Sequence, residues 1–276
     1  MALTVDVDEF WKDGFTLIRG AYTPEEIAQF RKDSLAQRGK HKGDLLSNPY
    51  MNRIMLDGKM ADIARQILDR EDLVYYGDTA IAIRPGSPGW HKDNADRRDA
   101  NAPDWKSDYT QLRFGVYLQD HYKHSGGLNV RRGSHNIPDF TTGEVVHLRS
   151  RIGDIGVWSM RITHSAAGTL LKWAPGRNRH PDPFKLEGIN PKHILPKAEE
   201  RIAVFSAIGA EDEHADRYLE YLKTRTYAAQ QMRGTYYTDE QNAGMQNLGV
   251  KVRQMRPEVE ADPEAGKNKK WEPIPY

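Results

Sequence analysis

The stretch that most constrains this chain begins at Leu73. From there the sequence breaks into short β-like runs bounded by turn residues: Leu73–Ile83, Tyr109–Gln119, Gly127–Val130, Glu144–Leu148, Gly156–Thr163 and Arg201–Ala207. Their spacing is too close for β-α-β units, which predicts mainly antiparallel sheets, a sandwich or a jelly roll. Helices are expected to flank that core. Val5–Lys12 reads as a short helix and Phe15–Arg19 as a strand after the Asp13-Gly14 turn. Thr23-Pro24-Glu25-Glu26 combines an N-cap, a first-turn proline and a capping-box acid, starting a helix that should run to about Arg38. Further helices are expected over Lys59–Leu68 and about Glu211–Thr226.

A chain of 276 residues suits one large domain. We place it at residues 1–255, with an inserted loop at about 170–198 and a loosely held, proline-broken tail at 256–276. With no cysteine, disulfides, Cys-ligated metals and thiol catalysis are excluded. Forty Lys+Arg against 39 Asp+Glu leaves a net charge of +1, so a nucleic-acid partner is not expected. No uncharged apolar run approaches the ~18 residues of a membrane span. The N-terminal segment carries charge throughout and has no apolar core of signal-peptide length, which predicts a cytoplasmic protein.

Chemistry enters with the histidines. His41, His121, His124, His180 and His193 sit in polar surroundings and read as solvated. His91 differs because it lies two residues before Asp93, so at strand spacing an imidazole and a carboxylate project to one face. His164 follows the apolar run Gly156–Thr163, where a buried imidazole needs a partner or a ligand role. Two imidazoles and one carboxylate on one face of a metal leave three positions open, an arrangement suited to iron(II). From these residues alone, a pair of hydrogen-bonded core histidines explains the pattern equally well.

Three segments together resemble the phytanoyl-CoA dioxygenase family of iron(II)/2-oxoglutarate oxygenases. The first is Asp13-Gly14-Phe15-Thr16-Leu17-Ile18-Arg19-Gly20 with Thr23-Pro24-Glu25-Glu26. The second runs through Arg84-Pro85-Gly86-Ser87, Trp90-His91-Lys92-Asp93 and Tyr117-Leu118-Gln119-Asp120 to Gly126-Gly127-Leu128-Asn129-Val130-Arg131-Arg132-Gly133-Ser134-His135. The third is Gly153-Asp154 with Ile162-Thr163-His164-Ser165. The resemblance covers most of residues 10–165. It implies a mainly β fold with flanking helices around a double-stranded β-helix, or cupin-like jelly roll. It also implies His91, Asp93 and His164 as iron ligands, and leaves His135 a structural role. A carboxylate at Asp93 favours oxygen insertion over the halogenation of relatives that carry a small residue there.

The same resemblance calls for an arginine on the distal carboxylate of 2-oxoglutarate, because a guanidinium pairs with it bidentately. Here the sequence departs from the family spacing. Arg177 and Arg179 lie nearest His164 but fall in the proline-rich insertion. Arg201 opens the next strand, and a clamp belongs on a rigid element, so Arg201 is preferred over Arg177. Arg113 is placed at an inward position where it would meet 2-oxoglutarate or an acidic substrate. Tyr76 and Trp105 are further candidates for substrate contact, whereas Arg97, Arg98, Arg131, Arg132 and Arg161 read as surface charges.

The implied activity is C–H hydroxylation of a small molecule using Fe(II), 2-oxoglutarate and O2, with release of succinate and CO2. Basic residues in the loops Asp96–Asp108 and Ala174–Pro196, with Arg113, suggest a polar or anionic substrate such as a carboxylate, phosphonate or acidic sugar. Two other classes stay open: a jelly-roll metal enzyme that does not use 2-oxoglutarate, and a non-catalytic binding module on the same fold.

Overall fold

A computed structural model of the chain describes residues 3–83, 89–172, 189–197 and 200–268. The first helix, α1 (Val7–Asp13), is capped by Asp6, whose side chain accepts from the Glu9 N–H. It stops at Gly14, whose φ of 85° lets its N–H return to the Phe10 carbonyl before strand β1 (Phe15–Ile18) begins. Helix α2 (Pro24–Ala36) has the expected capping box between Thr23 and Glu26. After the short α3 (Arg53–Leu56) comes α4 (Lys59–Leu68), with Met60, Ile63, Ala64 and Ile67 buried along one stripe.

The expected single strand over Leu73–Ile83 is broken into β2 (Leu73–Tyr75) and β3 (Ala80–Ile83). The strands that follow are β4 (Gln111–Tyr117), β5 (Gly127–Arg131), β6 (Val145–His147), β7 (Ile155–Ser159), β8 (His164–Gly168) and β9 (Ile202–Ala210). Helices α5 (Glu213–Thr224), α6 (Thr226–Gly234) and α7 (Asp239–Asn247), strand β10 (Val250–Val252) and helix α8 (Arg256–Ala261) complete the described chain.

Two sheets result. The larger runs β1-β7-β4-β9-β2-β10, with β3 also on β9; the smaller runs β6-β5-β8. Every pairing is antiparallel except β10 with β2, as the close strand spacing predicts. Alternation along the large sheet sorts its side chains. Leu112, Phe114, Val116, Ile202 and Val204 join the core beneath α1–α4, while Tyr117, Trp158 and Ala203 meet Leu128 and Val130 of the small sheet and Ile162 of the turn before it. A third cluster packs Tyr218, Leu219 and Leu222 of α5 over Val74, Tyr76 and Ala207. Among the described residues no helix is long and apolar enough to cross a membrane.

Three local expectations are corrected. Leu73 and Val74 pair with Ala210 and Gly209, whereas Ala80 pairs with Phe205. Six steps on one strand therefore face four on its partner, and the surplus bulges at Gly77, whose φ is 80°. The run Gly156–Thr163 is not one strand: it leaves the large sheet after Ser159, turns, and His164 opens β8 in the small sheet. Residues 256–268 are packed, with Val259 fully buried in α8 and the Asn268 N–H donating to the Thr224 carbonyl. Most of the proline-rich insertion, including Arg177, Arg179, His180 and Lys185, lies outside the described residues, as does Arg84–Ser87.

Candidate metal centre

Backbone hydrogen bonds bring the two histidines together. His91 and His164 face one another as an antiparallel bridge, exchanging N–H···O bonds of 2.9 and 2.8 Å. The Asp93 N–H donates to the Met160 carbonyl at 2.9 Å, in the turn that precedes His164. The three side chains each turn a ligand atom to a common point, all within 4.8 Å of one another. His91 Nε2 lies 3.8 Å from Asp93 Oδ1, and His164 Nε2 lies 3.7 Å from Asp93 Oδ2. Lys92 points the other way, its buried ammonium donating to the Ser134 and Arg161 carbonyls at 2.6 and 2.7 Å.

The protonation pattern fits a metal. His91 Nδ1 is 3.0 Å from the Gly89 carbonyl and His164 Nδ1 is 3.1 Å from the Ile162 carbonyl. A carbonyl can only accept, so both Nδ1 atoms carry the proton and both Nε2 lone pairs face the shared point. Burial, then the neighbouring His91, pulls the His164 imidazole down to about 4, so it is neutral at physiological pH. Burial alone would raise the Asp93 carboxyl, but the adjacent Arg113 guanidinium opposes it and Asp93 is held well below the usual carboxylate range. Two imidazoles presenting Nε2 and one carboxylate can hold a divalent metal.

From His164 a file of rings leads along the inner face of the large sheet. Trp158 lies 5.8 Å from the His164 ring, Phe205 6.2 Å from Trp158, and Tyr117 6.1 Å from Phe205. Arg201 stands at the end of that file, buried, 5.3 Å from the Tyr117 ring, with Nε donating to the Gly126 carbonyl at 2.9 Å. The Trp158 Nε1 donor is buried without an acceptor among the described residues. Gly115 makes room for these rings: a Cβ there would come within 2.9 Å of Trp158.

Other expected contacts are taken by protein groups. The Arg113 guanidinium meets Asp78 at 2.6 Å and Asp93 at 3.2 Å, so its charge is neutralised inside the protein instead of being presented to 2-oxoglutarate or substrate. Tyr76 is buried and donates to Gln111 Oε1 at 3.1 Å, and Trp105 Nε1 donates to the Asp96 carbonyl at 2.8 Å. Arg97 and Arg161 are buried, not surface charges: Arg97 donates to the Asn94 carbonyl and Tyr221, and Arg161 to the Asp104 and Ser107 carbonyls. His121, expected to be solvated, is fully buried and bonded to Gln119 at 2.8 Å. His135 is structural as expected, with Nε2 3.0 Å from the Trp11 carbonyl. Sequence reasoning missed Asp78 and Tyr218; the glycine at position 77, inside a strand-like run, was the available sign of a bulge there. Beside this network opens a cleft of about 1110 Å³, lined in part by Arg38, His41, Lys42, Thr79, Tyr227 and Gln231.

Known proteins share this arrangement of sheets. No family model matches the chain. Among curated proteins it is 26% identical over 159 residues to the ectoine dioxygenases of Bordetella parapertussis and Bordetella bronchiseptica, covering 49% of this chain and 50% of theirs. By sequence the chain is therefore similar to these dioxygenases over part of its length. The match spans about half the length of those curated relatives. Among solved structures, the non-haem α-ketoglutarate-dependent epimerase SnoN from nogalamycin biosynthesis superposes with a TM-score of 0.51 at 16% identity, over 74% of this chain and 81% of SnoN. Apo EctD from S. alaskensis gives 0.50 at 18% identity, over 74% and 75%. At these identities the likeness concerns the fold, and that fold is the expected jelly roll.

Proposed function

We propose that this chain is an iron(II)- and 2-oxoglutarate-dependent oxygenase that hydroxylates a C–H bond of a small polar molecule. The observation that carries the reading is the convergence of His91, Asp93 and His164 with both imidazole Nε2 lone pairs turned to one point. These three residues would hold the iron. When bound, iron and 2-oxoglutarate supply the oxidising power for dioxygen chemistry, with succinate and CO2 as by-products. The chain's own contribution is ligand geometry, a clamp for the keto-acid and a dry slot.

For the keto-acid the fit lies along the aromatic file. Arg201 is buried at the far end of that file from His164, and it immediately precedes strand β9. Its guanidinium would take the distal carboxylate, and the buried Trp158 Nε1 donor would give an anion beside it a further hydrogen bond. The name of the curated relatives, ectoine dioxygenase, supports a small-molecule substrate. Arg97 and Arg113 are engaged internally, and among the described residues Lys42 of the cleft is a cation that an acidic substrate could meet.

The deciding experiment is anaerobic addition of iron(II) and 2-oxoglutarate, followed by admission of oxygen. The expected result is a weak visible charge-transfer band and then succinate, both lost in His91→Ala. A folded protein that binds iron but gives neither band nor succinate would identify a jelly-roll metal enzyme of another kind. One that binds no iron would be a binding module.

A further inference from the structure

Arg113 is buried at the centre of the large sheet, opposite Trp158 on β7 and Ala207 on β9. Alanine at 207 leaves room beside it, and the guanidinium spends its donors on three elements. Nε donates to Asp93 Oδ2 at 3.2 Å. Nη2 meets Asp78 Oδ2 at 2.6 Å and the Tyr218 hydroxyl at 3.1 Å, and Nη1 lies 3.4 Å from the Asp78 carbonyl. Tyr218 of α5 closes the ring by donating to Asp78 Oδ2 at 2.6 Å. Asp78 itself is delivered by the bulge between β2 and β3.

A buried arginine clamped in this way is expensive unless its position matters, since truncating one partner leaves an uncompensated charge. The Asp93 carboxylate has two oxygens, and the histidine nitrogens approach both. The guanidinium donates to Oδ2 only, leaving the lone pairs of Oδ1, the oxygen nearer His91, without that competition. We propose that Arg113 is a positioning residue for the metal centre: braced by Asp78 and Tyr218, it fixes Asp93 as a one-oxygen ligand and keeps the protein's share of the coordination sphere at three atoms. This inference rests on the metal-centre reading and goes beyond it by assigning Arg113, Asp78 and Tyr218 a role toward the metal. It also makes α5 part of the centre, because Tyr218 is the only member of the brace outside the sheet and its bulge.

The test uses cobalt(II) as probe, in full-length metal-free protein, and reads affinity and visible ligand-field spectrum, not turnover. Arg113→Lys keeps the charge but loses the planar fork, Asp78→Asn keeps an acceptor but removes the countercharge, and Tyr218→Phe deletes one bond. Each is expected to fold, to weaken cobalt(II) binding by ~10–100-fold for the first two and less for the third, and to alter the spectrum. Ile63→Val, which opens a small cavity in the core under α4 away from these groups, controls for destabilisation. It should lower thermal stability while leaving cobalt(II) affinity and spectrum unchanged. Should Arg113→Lys fail to fold, Asp78→Asn and Tyr218→Phe decide. Folded brace variants with wild-type affinity and spectrum would overturn the proposal while leaving the metal centre intact. A folded wild type that takes up no cobalt(II) or iron(II) would overturn the metal-centre reading itself, and the brace with it.

Discussion

Acid should unfold this protein through its buried neutral histidines, and His135 allows the effect to be isolated. Its ring fills the hollow over Gly14, where a Cβ would come within 2.4 Å of Nδ1, and its Nε2 is 3.0 Å from the Trp11 carbonyl. Burial pulls the imidazole down to about 4; the Trp11 carbonyl opposes this, and the positive Arg161 and Lys92 add to it. In the unfolded chain the ring titrates near ~6.5. The folded value lies below the unfolded one, so the unfolded state binds a proton that the native state refuses. Stability is therefore complete above about pH 6.5 and is lost as pH falls toward about 4. At about pH 5 that linkage amounts to roughly 2 kcal/mol. His121 and His164 are each pulled down to about 4 by burial as well, so the metal-free protein should lose roughly 6 kcal/mol by about pH 5, a large part of a typical domain's stability. Urea unfolding of metal-free protein at neutral and acid pH measures the loss; metal is left out because its ligands bring their own proton linkage. His135→Gln keeps a donor for the Trp11 carbonyl but cannot titrate, so its stability should fall by about a third less. Parallel pH curves for wild type and His135→Gln would refute the reasoning.

Two further outcomes follow from the aromatic file between the sheets. Gly115→Ala places a Cβ 2.9 Å from Trp158 and 3.3 Å from Phe205, and is expected to cost about 1–3 kcal/mol in urea unfolding through overpacking; an unchanged midpoint would mean the rings are not packed against the strand as described. Arg201→Lys should weaken 2-oxoglutarate binding by ~10–100-fold, on the scale of one charge-assisted bond, and leave cobalt(II) affinity alone. Calorimetric titration of the metal-loaded protein checks it, and wild-type keto-acid affinity would move the clamp to another residue.

What the sequence made legible was local or motif-borne. The Thr23/Glu26 capping box, the bounds of α4 and the Gly14 stop all depend on residues within a turn of one another. His91, Asp93 and His164 were legible because a spacing of two and a family likeness pointed to them together. The rest depends on contacts that sequence distance hides. Tyr218 reaches Asp78 across 140 residues, and nothing near Arg113 in the chain says that its countercharge lies on a bulge. His121 lies among polar neighbours in sequence, yet the fold buries it beside Tyr117 and Gln119. The turn before His164 was invisible for a related reason. Ile155–Ile162 holds no proline or internal breaker after Gly156, and the strand ends because the Met160 carbonyl is taken by the Asp93 and Asn94 N–H groups from a distant segment.

That last point explains why the triad holds its shape. Its three side chains come from two segments, and both are tied by main-chain hydrogen bonds: the reciprocal pair between His91 and His164, and the two bonds from Asp93 and Asn94 to Met160. Between the ligands, Lys92 points away and fastens the same two segments from behind, through the Arg161 carbonyl, to the turn at Ser134. Burial drags its ammonium down to about 7, the expense of placing a cation where its hydrogen bonds go to carbonyls. The Ser134 hydroxyl in turn accepts from the Thr163 N–H, one residue before His164. The Gly-Ser-His element of the sequence therefore acts on the triad at one remove: Ser134 fixes the approach to His164 while His135 locks the same turn onto the first helix. The positions of the donors are set by backbone and by buried hydrogen bonds rather than by side-chain rotamers alone. A centre built that way arrives already shaped for a metal and has little ordering left to do when one binds.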